Sequence, residues 1–141
     1  SSGFSCVFRH PQATSHCSLL HGYALQFSIS FGSQHLDEKG WVVDFGGLRG
    51  VKHWLKQMFD HTCLIAHDDP HREIFEMLNE KKIIDLRVVA ATGCERFAEL
   101  VFHHVSDWVN QLYSGRCWAE SVTVSEHQGN AATCRRKNSE K

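Results

Sequence analysis

The stretch from Thr14 to Phe31, TSHCSLLHGYALQFSISF, sets His16, Cys17 and His21 close together just ahead of a segment of alternating apolar and polar residues. Three chemistries are open to this group. Cys17 could act as a thiolate, because thiols beside cationic or metal-bound groups ionise readily. It could share a metal with the histidines, or it could be a small buried apolar side chain, the commonest role of an unpaired cysteine. His21 is a natural zinc donor, whereas Tyr23, two residues further on the same strand face, reads as a core or pocket-wall aromatic. Asp60 and His61 form a second group: a carboxylate can fix a histidine's tautomer for proton relay, or the pair can cap the turn after a helix. Glu126 ends VTVSEH on the face shared by Val122 and Val124. A carboxylate there belongs either at an exposed sheet end or against a ligand with paired N–H donors.

The elements that must carry these residues follow from periodicity. Phe4, Cys6 and Phe8 alternate as a short strand, and Tyr23 to Phe31 alternates Tyr, Leu, Phe, Ile, Phe with small and polar residues, the pattern of a sheet with one buried face. WVVDF, Trp41 to Phe45, reads as extended. Leu48, Val51, Leu55, Met58 and Phe59 recur at helical spacing, so Phe45 to Phe59 is expected as an amphipathic helix weakened early by Gly46, Gly47 and Gly50. Pro70 is placed to start a short helix through Leu78, and Ile83 to Ala90 reads as a strand. Thr92 and Glu95 have capping-box spacing before a long helix through Leu112, and Trp118 to Glu126 is a last strand. The expectation is α+β: an antiparallel four-stranded sheet with two main helices on one face, in a single domain over residues 1–130, followed by a polar C-terminal tail at 131–141.

Bulk composition narrows the function classes. The chain of 141 residues is 42% hydrophobic and 22% charged, enough for one core, and its net charge of -1 leaves no electrostatic footprint for nucleic acid or an anionic membrane. The six cysteines include no C-x-x-C pair, which argues against a zinc ribbon or disulfide scaffold and for a reducing, cytoplasmic setting. No apolar run approaches the length of a membrane span, and the N-terminus lacks the order of a signal peptide.

Five motifs in order, C-x-x-x-H-G (Cys17 to Gly22), GWVVDF (Gly40 to Phe45), FDH (Phe59 to His61), CERFAELVF (Cys94 to Phe102) and VTVSEH (Val122 to His127), resemble the 6-pyruvoyltetrahydropterin synthase family. The likeness is nearer to its bacterial branch, 6-carboxytetrahydropterin synthase of the queuosine pathway. The resemblance implies a T-fold that oligomerises into a ring or barrel, with active sites at subunit interfaces, and a lyase acting on 7,8-dihydroneopterin triphosphate. It implies Cys17 as the proton-abstracting thiol, Asp60 and His61 as the relay, and Glu126 as the anchor of the pterin's amino and ring N–H groups, with Glu95 also at the substrate. It implies zinc held by three histidines. Here only His21 matches, since Phe8 and Tyr23 stand at the other two places, and Thr92-Gly93 replaces the family's Pro-Thr. At most weak zinc occupancy is therefore expected. The readings left open are a rearranged metal site recruiting His16, Cys6 or His10, a metal-free enzyme, and a T-fold protein that binds a pterin or purine without catalysis.

Overall fold

The structure, a computed structural model, describes residues 3–127 and 129–137. The alternating stretch forms β2 (His21–Ser33), lying between β1 (Phe4–Phe8) and β5 (Cys117–His127) and antiparallel to both. Leu25 is fully buried on its inner face, with Tyr23, Phe27, Ile29 and Phe31 half-buried, while Ala24, Gln26, Ser28 and Ser30 face solvent. Two helices cover that inner face. From α1 (Arg49–Phe59) come Val51, Leu55 and Phe59, and from α3 (Cys94–Tyr113) come Phe97, Ala98, Val101, Val105 and Val109, all packed with Leu25, Val122 and Val124. Each such fully buried Val, Leu or Phe contributes roughly 1.5–3 kcal/mol, so α3, with the most of them, is the main lid of the core.

The sheet is larger than four strands and is mixed. Three further strands, β3 (Thr62–Ala66), β4 (Leu86–Val89) and β6 (Asn130–Arg135), give a six-stranded sheet in the order β4-β3-β1-β2-β5-β6, and a third helix, α2 (Arg72–Glu80), lies between β3 and β4. β3 runs parallel to both β1 and β4. Every residue of β3 is buried: Leu64 joins the main core, while Cys63 and Ile65 pack against Phe75 of α2 on the opposite face. A strand covered on both faces has no polar alternation to betray it.

Three local expectations are also corrected. Trp41 to Phe45 is not a strand: the Asp44 side chain accepts the Gly46 N–H at 2.9 Å and starts a 3-10 turn, Phe45–Leu48, that feeds α1. Thr92 does not cap α3, because its hydroxyl donates instead to the Arg9 carbonyl at 2.7 Å, and Gly93, at φ +111°, takes the N-cap position. Residues 131–135, expected in the polar tail, belong to β6, which pairs with β5; residues 138–141 of that tail lie outside the described residues.

Candidate active site

Phe8, the last residue of β1, pairs with His21, the first of β2, and the chain between them folds back as a tight loop. The His10 N–H donates to the Cys17 carbonyl at 2.9 Å, and the Ser15 hydroxyl accepts the Cys17 N–H at 3.3 Å at the head of a single 3-10 turn, His16–Ser18. Cys17 is thereby fixed in the wall of a pocket of about 390 Å³, lined also by Phe8, His10, His21, Cys94, Glu95 and Glu126. Cys94 and Glu95 reach it from the first turn of α3, Glu126 from the end of β5, and Gly129 to Ala131 complete the lining.

Aromatic rings pack around Phe8 and His21, which line the pocket. Phe8 lies 5.1 Å from the His21 ring and 5.1 Å, edge-on, from Phe97. Tyr23 meets His21 edge-on at 5.3 Å and His127 at 6.5 Å. The Tyr23 hydroxyl and the Cys94 thiol both lie near enough to the Glu126 carboxylate to feel its charge. Burial, and after it the Glu126 charge, raises the Tyr23 phenol above its ordinary range, and the same two causes push the Cys94 thiol up to about 12. At neutral pH both groups are therefore protonated.

The donor set does not suit a three-histidine zinc centre. Of its three places, one is filled by the Phe8 ring and one by Tyr23, which packs edge-on against His21. His21 turns Nδ1 to the Leu19 carbonyl at 2.7 Å, so that nitrogen carries the proton and only Nε2 can accept. Among the described residues no three His, Cys, Asp or Glu side chains are grouped so as to hold a metal ion. His16 is exposed on the 3-10 turn and does not line the pocket. Cys6 is buried beside Cys63 and opens on a different, smaller cavity, its thiol pushed up to about 12 by burial and by Cys63.

That second cavity, about 210 Å³, is where His61 lies. His61 sits at φ +58° with Nδ1 3.1 Å from the Asp60 carboxylate, which also accepts the Ser5 N–H at 3.4 Å. The His61 side chain is 84% exposed. Within one chain, then, the Asp60–His61 pair is not brought into the pocket of Cys17 and Glu126.

A family profile described as 6-pyruvoyl tetrahydropterin synthase matches residues 1–137, nearly the whole chain. The chain belongs to that family. A 6-carboxy-5,6,7,8-tetrahydropterin synthase from Rickettsia felis is 35% identical over 54 residues, 38% of this chain and 39% of the relative; its counterpart from Rickettsia conorii is 33% identical over the same share. The matched stretch thus spans well under half the length of these relatives. An uncharacterized protein from Wolinella succinogenes superposes with a TM-score of 0.80 at 18% identity, covering 95% of this chain and 94% of its own. The 6-pyruvoyl tetrahydropterin synthase of Plasmodium vivax gives 0.67 at 16% identity, covering 95% and 91%. At such identities the two superpositions bear on the fold, the T-fold, rather than on chemistry.

Within the 6-pyruvoyl tetrahydropterin synthase family, this member's pocket gathers Cys17, His21, Glu95 and Glu126, each singled out in the sequence. Cys94 also lines the pocket, although its sequence context does not single it out. Its one signal is its place at the start of CERFAELVF, immediately after a glycine that lets the chain turn tightly into α3.

Proposed function

We propose that this protein is a pterin-processing lyase of the 6-carboxytetrahydropterin synthase type, acting on 7,8-dihydroneopterin triphosphate in queuosine or deazaguanine biosynthesis. The observation that carries the reading is the meeting of Cys17 and Glu126 in one pocket of about 390 Å³, the size of a small-molecule site. Glu126 offers two carboxylate oxygens to the amino and ring N–H donors of a pterin edge, and Glu95 stands on the same wall. Cys17 takes the proton from the side-chain carbon. No step is assigned to a metal. The Asp60–His61 relay is assigned to a neighbouring copy's pocket, so that a homo-oligomer completes the site.

The test is turnover of 7,8-dihydroneopterin triphosphate by wild type and Cys17→Ala, with size-exclusion profiles compared. Loss of turnover with assembly intact is expected, and equal activity would remove Cys17 from the mechanism. A second reading, a T-fold protein that binds a pterin or purine without turnover, draws on Phe8 and Tyr23 at the metal-ligand places. It predicts binding that is lost in Glu126→Ala and no turnover under any metal supplementation.

A further inference from the structure

We propose that Arg9, Asp69 and Thr92 form a tie that positions Cys17 relative to the start of α3, with Arg9 as its central residue. The proposal rests on the pterin reading for the reaction it serves, but not for its geometry. β4, β3 and β1 are neighbours that run parallel, so their C-terminal ends emerge at one end of the sheet. That brings together Arg9 after β1, the Asp69 turn after β3 and Thr92 after β4. Arg9 Nη1 lies 3.6 Å from the Asp69 carboxylate, the two side chains being 15% and 0% exposed. Asp69 is itself fixed: its N–H donates to the Ala66 carbonyl at 3.0 Å, and its carboxylate accepts the His71 N–H at 2.9 Å. The Arg9 carbonyl, in turn, accepts the hydroxyl of the buried Thr92 at 2.7 Å.

Residue 9 stands between two pocket residues, Phe8 and His10. The His10 N–H holds the Cys17 carbonyl, and the His10 carbonyl accepts the Ala13 N–H at 3.1 Å. A shift of Arg9 therefore passes through one planar peptide to the bond that holds Cys17. Thr92 leads through Gly93 into Cys94 and Glu95, which line the same pocket from α3. The tie thus joins the segment carrying the thiol to the segment carrying Glu95. Exposed ion pairs hold geometry weakly, but Asp69 cannot turn to water, and removing either partner leaves the other without its counter-charge. The proline that the resemblance implies at position 92 has no hydroxyl, so the tie is a property of this chain. A thiol that must meet one carbon-bound proton tolerates little displacement, since a shift of about 1 Å can cost roughly a hundredfold in rate. Glu126, on β5, lies outside the tie.

Two measurements decide the matter. The first, without ligand, is the rate of alkylation by iodoacetamide, resolved by peptide mass spectrometry at the two half-buried thiols, Cys17 and Cys134. Thr92→Val, which keeps the side-chain shape and loses the hydroxyl, should speed the reaction of Cys17 by about threefold to tenfold, as should Asp69→Asn. Cys134, on β6, should stay within about twofold, and Thr92→Ser should restore the wild-type rate at Cys17. A Cys17 rate that does not rise in Thr92→Val, or an equal rise at both thiols, would overturn the tie. The second is steady-state turnover of 7,8-dihydroneopterin triphosphate. Thr92→Val should lower kcat about tenfold with KM within about twofold, and Thr92→Ser should recover it. Unchanged kcat, or a loss confined to KM, would overturn the positioning role. If Asp69→Asn does not fold, Thr92→Val and its serine rescue decide alone. If the wild type turns over no substrate while the alkylation rates change as expected, the pterin reading fails and the tie stands.

Discussion

Phe8 and Tyr23 decide what kind of chemistry the pocket can host. Both are aromatic where the resemblance calls for histidine, and both are tied into packing: Phe8 against Phe97 and His21, Tyr23 against His21 and His127. Restoring the two imidazoles, Phe8→His with Tyr23→His, would surround His21 with the missing donors. Elemental analysis of protein purified without added metal should find well below one zinc per chain in the wild type and a clear rise in the double variant. A full zinc in the wild type would overturn this view of the pocket. At this scale the sequence was informative wherever a residue type is chemically unusual for its position. Cys17 on a loop, His21 at a strand start and Glu126 on an apolar face all drew notice and all line the pocket. Cys94 did not, because a cysteine at the start of an amphipathic helix reads as core, and only the folded chain sets it against Glu126.

Elements were legible in proportion to their amphipathicity. β2 and α3 have one wet face each, and their periodicity marks them nearly to their ends, whereas β3, with all five residues buried, carries no periodic signal. Its partner β4 is legible as a strand, but its parallel pairing depends on α2 crossing over, which no local pattern specifies. The contact between α1 and α3 adds a pH effect that follows from packing. His104 of α3 stacks on Trp54 of α1, with centroids 3.7 Å apart and planes 7° from parallel, and its Nε2 is buried without a hydrogen-bond partner. Trp108 closes the other side against Gly50, where a β-carbon would collide with the indole. Burial lowers the His104 pKa below its ordinary value near 6.5, with Asp107 opposing in part. The sign follows from proton counting: as pH falls below that value the unfolded chain takes the proton more readily than the folded one, so stability is lost on acidification. Thermal midpoints measured from about pH 7.5 to about pH 5 should fall more steeply for wild type than for His104→Gln, the other histidines giving a background common to both. Parallel curves would remove His104 from the acid response.

For the molecule as a whole, the telling feature is the separation of Cys17 and Glu126, in one cavity, from His61, which lines another with Asp60 beside it. The sequence places all four on the correct elements but cannot place the two groups in space, because β1 pairs with β2 along one edge and with β3 along the other and holds them apart. His61 is 84% exposed, in a left-handed conformation next to the carboxylate that orients it, a costly arrangement for a histidine with no further task. If the relay serves the pocket of a second copy, Cys17→Ala and His61→Ala damage different halves of each shared site. Each variant alone should be inactive on 7,8-dihydroneopterin triphosphate. Co-expressed in equal amounts and assembled at random, they should regain about a quarter of wild-type activity, because that fraction of interfaces joins an intact Cys17 to an intact His61. Mixtures that stay inactive, with mixed oligomers verified by differential tagging, would confine any role of His61 to its own chain.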